Sequence, residues 1–455
     1  MLVNSNDVIA ALITPPGRGG VGIVRLSGNQ LELFFDGLLG FTPTARHAHY
    51  HSFLASDGEE IDRGIVLYFP APDSYTGEHV LELQGHGGPV VMDCLLRRAL
   101  ELGARQARPG EFSERAFLNG KMDLTQVEAV ADLIDAGSEE AARGAIKTLQ
   151  GEFSRQVALL LEHLIALRVY VEAAIDFPEE EIDFLSDGKV EGGLLSLNSE
   201  LDELLASVSQ GALLREGISV VIAGKPNAGK SSLLNALSGQ ETAIVTDVPG
   251  TTRDVLREQI VIDGMPLHII DTAGLRATQN TIERKGIERA QDEIVRADQI
   301  LFLIDASKEF DLLSDSTFPL AEASFNQASN VTFVLNKTDK PGYSGYSALQ
   351  SQYPVIEISA KTGAGLDELR QHLKSCAGYV SAGGGLFSAR RRHISALNDT
   401  KSCVVEALKQ LQTAAAGELI AEDLKQAQQA LGTITGDYTS DDLLSEIFSS
   451  FCIGK

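Results

Sequence analysis

The sequence predicts a multidomain protein with α/β and all-α parts: an α+β N-terminal domain, a helical bundle domain, and a doubly wound α/β domain inserted into the helical one. Three observations predict this fold class. The chain has 455 residues, more than one hydrophobic core usually serves. The spacing of apolar residues changes from strand-like to helical, then to strand-like and back to helical. Helical sequence on both sides of the α/β part indicates an insertion.

The N-terminal domain is expected at residues 1–120. Short alternating runs there are typical of strands, and one helical run follows Gly88. From Asp123 a long stretch is free of proline and apolar at every third or fourth residue, which is typical of amphipathic helices in a bundle. The first part of the helical domain is therefore expected at residues 121–214.

The inserted domain is expected at residues 215–378. It begins with ISVVIAG, a continuous apolar run of the kind found in buried parallel strands. An Asp-Gly pair at Asp263 predicts a hairpin between two more strands, and three later apolar runs complete the pattern. Helical sequence resumes after the glycines at 383–385, so the second part of the helical domain is expected at residues 379–455.

Composition limits the classes of protein to which the chain can belong. Hydrophobic residues make up 44% and charged residues 22%, and no apolar run reaches the ~18 residues of a membrane span. No basic segment precedes the apolar stretch near the N-terminus, so we expect a cytoplasmic protein that makes no membrane contact. The cysteines lack the spacing of zinc ligands or of a disulfide framework and are expected to be reduced thiols: Cys94, Cys376, Cys403 and Cys452.

The charge balance is strongly acidic. Thirty-eight basic residues against 63 acidic ones give a net charge of −25, which repels phosphate backbones and argues against a non-specific nucleic-acid binder. Any contact with RNA must then be local. Arginine clusters occur at 97–98, 105–115 and 390–392, although such clusters are more often solvated faces than binding sites.

A phosphate-binding loop is predicted at residues 224–231. GKPNAGKS fits GxxxxGK[ST], directly follows the ISVVIAG strand and precedes a helical run. The glycines let backbone N–H groups surround the phosphates, Lys230 neutralises the reacting phosphate oxygens as a catalytic residue, and Ser231 ligates Mg²⁺. The predicted contacts of this loop are Asn227, Ala228, Gly229, Lys230, Ser231 and Ser232.

Two later motifs predict that the nucleotide is GTP. Asn336, Lys337 and Asp339 form an NKxD motif, and Ser359-Ala360-Lys361 matches the last base-contact loop of GTPases. The Asp339 carboxylate can accept hydrogen bonds from both N1–H and the exocyclic amine of guanine, whereas adenine offers no such pair of donors. An ATPase is therefore disfavoured.

Two switch loops are predicted between these motifs. The first contains Thr252, placed to complete the Mg²⁺ shell, and the second is DTAG at 271–274, which senses the γ-phosphate. The remaining predicted nucleotide contacts are Thr246, Asp247, Val248, Pro249, Gly250, Thr251, Thr252, Asp271, Thr272, Ala273 and Gly274.

Catalysis must differ from that of many small GTPases, because Leu275 stands where they have a water-orienting glutamine. Glu283 is the candidate for orienting the water. Taken by itself, a glutamate in such a sequence is more often an exposed charge on a helix. In a group of GTPases the residue at Asn227 ligates K⁺ in place of an arginine finger; the alternative is an asparagine that only caps the loop. The other K⁺ ligands would be backbone carbonyls of Thr246, Val248 and Thr251.

From end to end the chain is similar to the bacterial and organellar tRNA-modifying GTPases that, with a flavin-dependent partner, build a carboxymethylaminomethyl-type group on the wobble uridine. Beyond the GTPase motifs, the resemblance is carried by the segments TPPGRGGVGIVRLSG, DSYTGEHVLELQGHGG, RPGEFSERAFLNGKMDLTQVEAVADLI and FCIGK.

The resemblance implies that the N-terminal domain binds a one-carbon tetrahydrofolate derivative, 5-formyl- or methylene-tetrahydrofolate, and pairs two subunits. By motif, Arg25, Glu82, Lys121 and Lys455 would hold the folate. Without the family, Arg25 and Glu82 could be an ordinary surface pair. The C-terminal tail would fold back onto this domain and bring Cys452 to the modification chemistry as a nucleophile; a packing thiol is the alternative.

The implied partners are a second copy of the chain, an FAD-dependent protein in a hetero-oligomer, and tRNA. K⁺ and GTP would draw the two GTPase domains together and drive a conformational change. A ribosome-associated or assembly-factor GTPase is the alternative, and a folate one-carbon transferase with incidental GTP binding is a third. The acidic charge and the lack of a recognisable RNA-binding motif disfavour the ribosome-associated class.

Overall fold

The chain folds into two compact units, each of which is described by itself. The first unit comprises Met1–Ala131, Thr148–Asn198 and Ala396–Lys455, and the second comprises Asp132–Lys147 and Ser199–Ser395. The computed structural model describes residues 7–176, 188–238, 257–271, 297–308, 330–340, 353–379, 387–413, 416–438, 440–449, 451–452 and 454.

A mixed sheet dominates the first unit, in the strand order β3-β4-β5-β2-β1-β6. Only β1 and β6 pair in parallel among these described strands; the other neighbours are antiparallel. One face of the sheet buries Val24, Leu26 and Leu83 against a helix that carries Leu95. The predicted α+β architecture is confirmed. The strands are β1 Ile9–Leu12, β2 Gly22–Gly28, β3 His49–Leu54, β4 Glu60–Phe69, β5 His79–Gly85 and β6 Arg105–Gln106.

The predicted helical stretches are also helices in the structure. In the first unit Arg168 Nη1 donates a hydrogen bond of 2.6 Å to Gln428 Oε1, which joins two long helices. In chain order the helices are α1 Glu32–Phe34 (continued by a π-turn at Phe35–Leu39), α2 Pro89–Glu101, α3 Glu111–Leu118, α4 Leu124–Ile134, α5 Glu139–Leu149, α6 Glu152–Asp176, α7 Lys189–Glu216, α8 Lys230–Ser238, α9 Leu366–Cys376, α10 Arg391–Thr413, α11 Gly417–Gly432 and α12 Asp441–Ser449.

The second unit is built around a largely parallel sheet in the order β12-β11-β10-β7-β9-β8, with β8 antiparallel to β9. Both faces of the sheet are buried. Successive residues of a strand point to opposite faces, and the neighbours Val220 and Val221 lie in separate apolar clusters. The predicted hairpin turn is confirmed at Asp263 and Gly264, whose φ angles are 48° and 88°. The strands are β7 Ile218–Gly224, β8 Arg257–Ile262, β9 Met265–Asp271, β10 Gln299–Asp305, β11 Val331–Asn336 and β12 Val355–Glu357.

Three negative features bear on function. No helix within the described ranges is long and apolar enough to cross a bilayer. In the same ranges no three His, Cys, Asp or Glu side chains gather as metal ligands would. All four cysteines are free thiols, as predicted.

Candidate functional site

The phosphate-binding loop connects β7 to α8 in a conformation that its glycines permit. Gly224 and Gly229 have φ of +140° and +105°, and a Cβ on either would lie 2.3 Å from a neighbouring atom, so both close approaches require glycine. The Lys230 ammonium donates to the carbonyls of Gly224 at 2.9 Å and Lys225 at 3.1 Å, which keeps it inside the loop.

The donors of this loop suit a phosphate chain and Mg²⁺. Helix α8 begins at Lys230, so its first backbone N–H groups and its dipole face the loop. Ser231 and Ser232 are exposed at this helix end, where a hydroxyl can reach a metal ion that bridges phosphates. Asn227 has φ of 65° and an exposed side chain, so its amide is open to a ligand.

The phosphate-binding loop and the two predicted base-contact loops meet at Asn336, the buried last residue of β11. Its Nδ2 donates to the carbonyl of Ala228 at 2.9 Å, and its Oδ1 accepts from the N–H groups of Lys337 at 2.8 Å and Ala360 at 3.1 Å. One amide side chain therefore ties the NKxD loop to both the phosphate-binding loop and the last base-contact loop.

Asp339 lies beside Ser359, the first residue of the other predicted base-contact motif. Ser359 Oγ donates to Asp339 Oδ1 at 2.7 Å. That hydrogen bond, with a smaller contribution from Lys361, lowers the pKa of Asp339, so the exposed carboxyl group is ionised at neutral pH. An ionised, exposed carboxylate is the acceptor that guanine needs.

Asp305 is a site residue that the sequence analysis missed. Lys337 Nζ donates both to the carbonyl of Asn227 at 2.6 Å and to Asp305 Oδ2 at 2.7 Å. Burial opposes ionisation of Asp305, but the hydrogen bonds from Lys337 and Ser307 outweigh it and lower its pKa. Sequence reading could have found Asp305, because it is an acidic residue at the carboxyl end of the apolar strand β10, and ligands of such sheets bind at that edge.

Replacing Asp305 by asparagine is expected to weaken GDP binding by about 3- to 10-fold, because Lys337 loses its charged partner and positions the loop at Asn227 less well. Titration with a fluorescent GDP analogue measures this change. Asp298→Asn, at the exposed opposite end of β10, should bind GDP as the unaltered chain does. Equal affinities in the two variants would contradict the prediction.

Part of the predicted site lies outside the described residues. The side chain of Asp271 is not described, although its backbone ends β9. The other predicted residues outside the described ranges are Thr246, Asp247, Val248, Pro249, Gly250, Thr251, Thr252, Thr272, Ala273, Gly274, Glu283 and Lys455.

Two of the four predicted folate-binding residues pair in the N-terminal domain, and a third lies beside the loop that carries Tyr75. Arg25 and Glu82 face each other across β2 and β5 and form an ion pair at 2.8 Å, with side chains 17% and 13% exposed. The Arg25 guanidinium lies 5.2 Å from the ring centroid of Tyr75. Lys121 is exposed, and its side chain lies beside Gly77, which belongs to the same loop as Tyr75. The pair is thus mostly covered, unlike an ordinary surface pair.

The C-terminal tail lies on this N-terminal domain. The N–H of Gly110 donates to the carbonyl of Cys452 at 3.3 Å, and Phe451 is buried against α4. A Cβ on Gly454 would lie 2.6 Å from the carbonyl oxygen of Leu12, so the tail passes close to the strand β1. The thiol-bearing residue Cys452 is exposed.

Of the arginines at 105–115, Arg105 and Arg108 are exposed, as a solvated face would be, whereas Arg115 is buried. The Arg115 side chain is only 2% exposed and pairs with Glu78 at 3.0 Å, Asp7 at 2.6 Å and Glu111 at 3.3 Å. Arg105 binds the same Glu111 carboxylate at 2.5 Å. Asp7 and Glu78 come from distant segments, so the charge of the buried Arg115 is neutralised inside the domain, while Arg105 reaches the same network from the surface.

Comparison with known proteins agrees with this arrangement. A family model described as the GTP-binding protein TrmE N-terminus matches residues 8–121, and one described as the MnmE helical domain matches residues 124–452. Curated relatives match over their whole length.

Three of these relatives carry the name tRNA modification GTPase MnmE. Those of Chromohalobacter salexigens and Marinomonas sp. are each 57% identical over 449 residues, which is 99% of this chain and 98% of the relative. That of Stutzerimonas stutzeri is 56% identical over 455 residues, the full length of both chains. With the phosphate-binding and guanine-binding loops in place, the chain belongs to the MnmE family of tRNA-modification GTPases.

Proposed function

We propose that this GTP hydrolase acts in the cytoplasm with a flavin-dependent partner, and uses a one-carbon tetrahydrofolate to build a carboxymethylaminomethyl-type group on the wobble uridine of certain tRNAs. GTP hydrolysis drives the conformational change that the modification requires. The working assembly is a homodimer paired through the N-terminal domains, joined by the partner in a hetero-oligomer. The domain boundaries of the proposal fall after residues 120, 214 and 378.

One observation carries the proposal: the C-terminal tail lies on the N-terminal domain, against the turn that leads to Phe112, whose ring is close to Arg25. Gly110 binds the tail through its N–H group. Two residues later, the Phe112 ring centroid lies 5.6 Å from the Arg25 guanidinium carbon. The turn that receives the tail is therefore continuous with the predicted folate site, which supports a role for Cys452 and Lys455 there.

The residues around Arg25 fit a folate. Glu82 Oε1 pairs with Arg25, so Oε2 can accept hydrogen bonds from the amide and amine edge of a pterin. The Tyr75 ring beside Arg25 offers a flat surface for a heterocycle. Lys121 and Lys455 supply cations for the acidic glutamate tail. The bound folate would supply the carbon at the oxidation level of formyl or methylene.

The nucleotide loops support the GTPase half of the proposal. Lys230 stabilises negative charge on the transferred phosphoryl group, Ser231 and Thr252 hold Mg²⁺, and Glu283 orients the attacking water. Asn227 supplies its amide oxygen to K⁺, with the 246–251 loop completing the ion's ligands. This assignment fits the exposed, left-handed Asn227 at the apex of the loop.

GTP turnover is expected to rise in K⁺ and not in Na⁺, because the larger ion fits a site of carbonyl and amide oxygens that replaces an arginine finger. Phosphate release measured in matched chloride salts tests this. Asn227→Ala should remove most of the K⁺ stimulation. Equal turnover in the two salts would exclude Asn227 from ion binding.

A Gly110→Ala chain is expected to lose wobble modification and keep GTP turnover within about twofold of the unaltered chain, since the added Cβ would lie 2.6 Å from the Phe448 carbonyl oxygen and displace the tail. Hydrogen exchange at the Gly110 amide reports the displacement. Gly120→Ala is the matched control, because its φ of +66° is nearly that of Gly110 at +68° and nothing lies within 4 Å of an added Cβ. Full modification by the Gly110→Ala chain would exclude this role of the tail.

The function as a whole is tested by deleting the gene in its host and measuring wobble uridines in bulk tRNA by mass spectrometry. The proposal expects loss of the carboxymethylaminomethyl-type group, restored by the unaltered gene. Unchanged uridines would instead favour a ribosome-associated GTPase.

A further inference from the structure

One buried carboxylate binds both points at which the chain crosses between the helical part and the GTPase domain. Asp132, at the end of α4, has a side chain only 6% exposed. Its Oδ1 accepts from Arg215 Nε at 2.7 Å, just before β7, and from Arg390 Nη2 at 2.8 Å, just before α10. Its Oδ2 accepts from Ser388 Oγ at 2.5 Å. All four residues belong to the second unit.

The two crossings also contact each other directly. Arg391 Nε donates to Glu216 Oε2 at 2.8 Å, and Gln210 Nε2 donates to the carbonyl of Gly378 at 2.7 Å. A Cβ on Gly211 would lie 1.8 Å from the carbonyl oxygen of Phe387, so the backbones are nearly in contact. Asp132 thus joins a third segment to a pair of segments that are already held together.

The residues that follow Asp132 pack on the β8–β9 hairpin. We call residues 132–147 the bridging segment; they belong to the second unit although they precede the GTPase domain in sequence. A Cβ on Gly137 would lie 3.2 Å from Gln259 Nε2, and one on Gly264 would lie 2.7 Å from Glu140 Oε2. The same turn is held on another side, where the Tyr379 hydroxyl donates to the Asp263 carbonyl at 3.1 Å.

The hairpin is covalently joined to both predicted switch loops. β8 begins shortly after Thr252, and β9 ends at Asp271, where the DTAG motif starts. A displacement of either switch therefore pulls on a hairpin whose turn lies against the bridging segment. Packed elements that have two discrete arrangements can carry coupling between sites, and the exchange experiment below asks whether this hairpin has them.

We infer that Asp132 is a positioning residue for the GTPase reaction cycle: it holds the bridging segment against the β8–β9 hairpin, so that movement of the switch loops is transmitted to the helical domain. This inference rests on the nucleotide-driven conformational change proposed above. It concerns transmission and assigns no part in the chemistry of hydrolysis to Asp132.

Hydrogen exchange of the full chain in K⁺ and Mg²⁺ tests the inference. Amides of residues 136–147 are compared with GDP bound and with GDP plus aluminium fluoride, which mimics the transferring phosphoryl group. The unaltered chain should show different protection in the two states. Asp132→Asn should lose most of that difference and still bind GDP within about twofold of the unaltered chain, because the nucleotide loops are untouched.

Two further variants sharpen the test. Glu139→Gln removes a carboxylate from the same segment. The Glu139 side chain is exposed and pairs with Arg143 one helical turn away, so this variant should keep the full difference in protection. Arg390→Lys keeps a cation but loses the planar guanidinium that binds Asp132. It should therefore reduce the difference in exchange protection between the two nucleotide states. If Asp132→Asn does not fold, Arg390→Lys decides the matter.

A full protection difference in Asp132→Asn or in Arg390→Lys would overturn the inference, as would no difference in the unaltered chain. The assay contains no folate, partner or tRNA. A negative exchange result would overturn the role of Asp132 but leave the proposed modification chemistry standing. Unchanged wobble uridines after gene deletion would exclude that chemistry but leave the exchange result valid.

Discussion

Replacing Asp339 by asparagine is expected to weaken GTP binding by at least about 100-fold. The Asp339 carboxylate is exposed and ionised, and Ser359 holds it at 2.7 Å from its hydroxyl oxygen. The ionised group offers acceptors to both the N1–H and the amine of guanine, whereas an amide offers one acceptor and an NH₂ group that faces the guanine amine. Equilibrium titration with a fluorescent GTP analogue measures the loss.

A change of nucleotide separates lost recognition from a damaged fold. Xanthine carries an oxygen where guanine carries the amine, so xanthosine triphosphate should bind the Asp339→Asn chain better than GTP does. Asp367→Asn is the control, because that carboxylate is exposed on α9 and pairs with Arg370. GTP affinity that is unchanged in Asp339→Asn would refute the assignment of guanine recognition to this residue.

Replacing Glu111 by glutamine is expected to lower the free energy of unfolding of the N-terminal domain by about 3–5 kcal/mol. The Glu111 side chain has no exposed surface and binds Arg105 and Arg115. It also accepts the N–H of Arg108 at 2.8 Å, which shapes the turn that leads to Gly110. Removing its charge takes one carboxylate from the buried Arg115, which keeps Glu78 and Asp7, and leaves a neutral amide where two guanidinium groups and an N–H were bound to a carboxylate. Thermal and urea unfolding of the full chain, followed by hydrogen exchange in β1 and β2, measures the change.

The pH dependence of stability gives a second measure of the same group. Burial opposes ionisation of Glu111, but the bonds from Arg105 and from the Arg108 N–H outweigh it and lower its pKa from 4.5 to about 2. Because the folded pKa lies below the unfolded one, this stability is complete above pH 4.5 and is lost as the pH falls towards 2. Its size is about 3 kcal/mol, and Glu111→Gln should lack this acid-dependent loss.

Glu101→Gln is the matched control for both measurements. Its carboxylate is exposed on α2 and pairs with Arg98 at 3.2 Å, so the change should cost less than about 1 kcal/mol. A Glu111→Gln chain as stable as the control at neutral pH would show that the buried network does not hold the N-terminal domain together.

The nucleotide loops could be predicted because their motifs encode local geometry. Gly224 and Gly229 stand where side chains would collide with neighbouring atoms, and Asn336 stands where one amide reaches two loops. The Asp263-Gly264 hairpin was predictable for the same reason, since its backbone needs positive φ at both turn residues. These features depend on residues that are close in sequence or fixed in spacing.

Features that depend on contacts between distant segments could not be predicted. Arg115 looks like part of a basic surface until Asp7 and Glu78 are brought to it by the sheet. Asp305 becomes part of the nucleotide site only when parallel pairing of β10 and β11 sets its carboxylate beside Lys337. Likewise, periodicity identifies the helix that follows Asp132, but nothing local indicates that this segment packs with the GTPase domain.

The packing of Phe451 and Gly454 on the N-terminal domain has a consequence for biosynthesis. A ribosome makes the receiving surface around Gly110 on the order of tens of seconds before it makes the residues that cover it. During that interval the nascent first domain lacks the contacts that Phe448 and Phe451 make beside Gly110, while the ion pairs around Arg115 can already form. Newly made chains would therefore complete the surface around Gly110 only after the GTPase domain has left the ribosome and can fold.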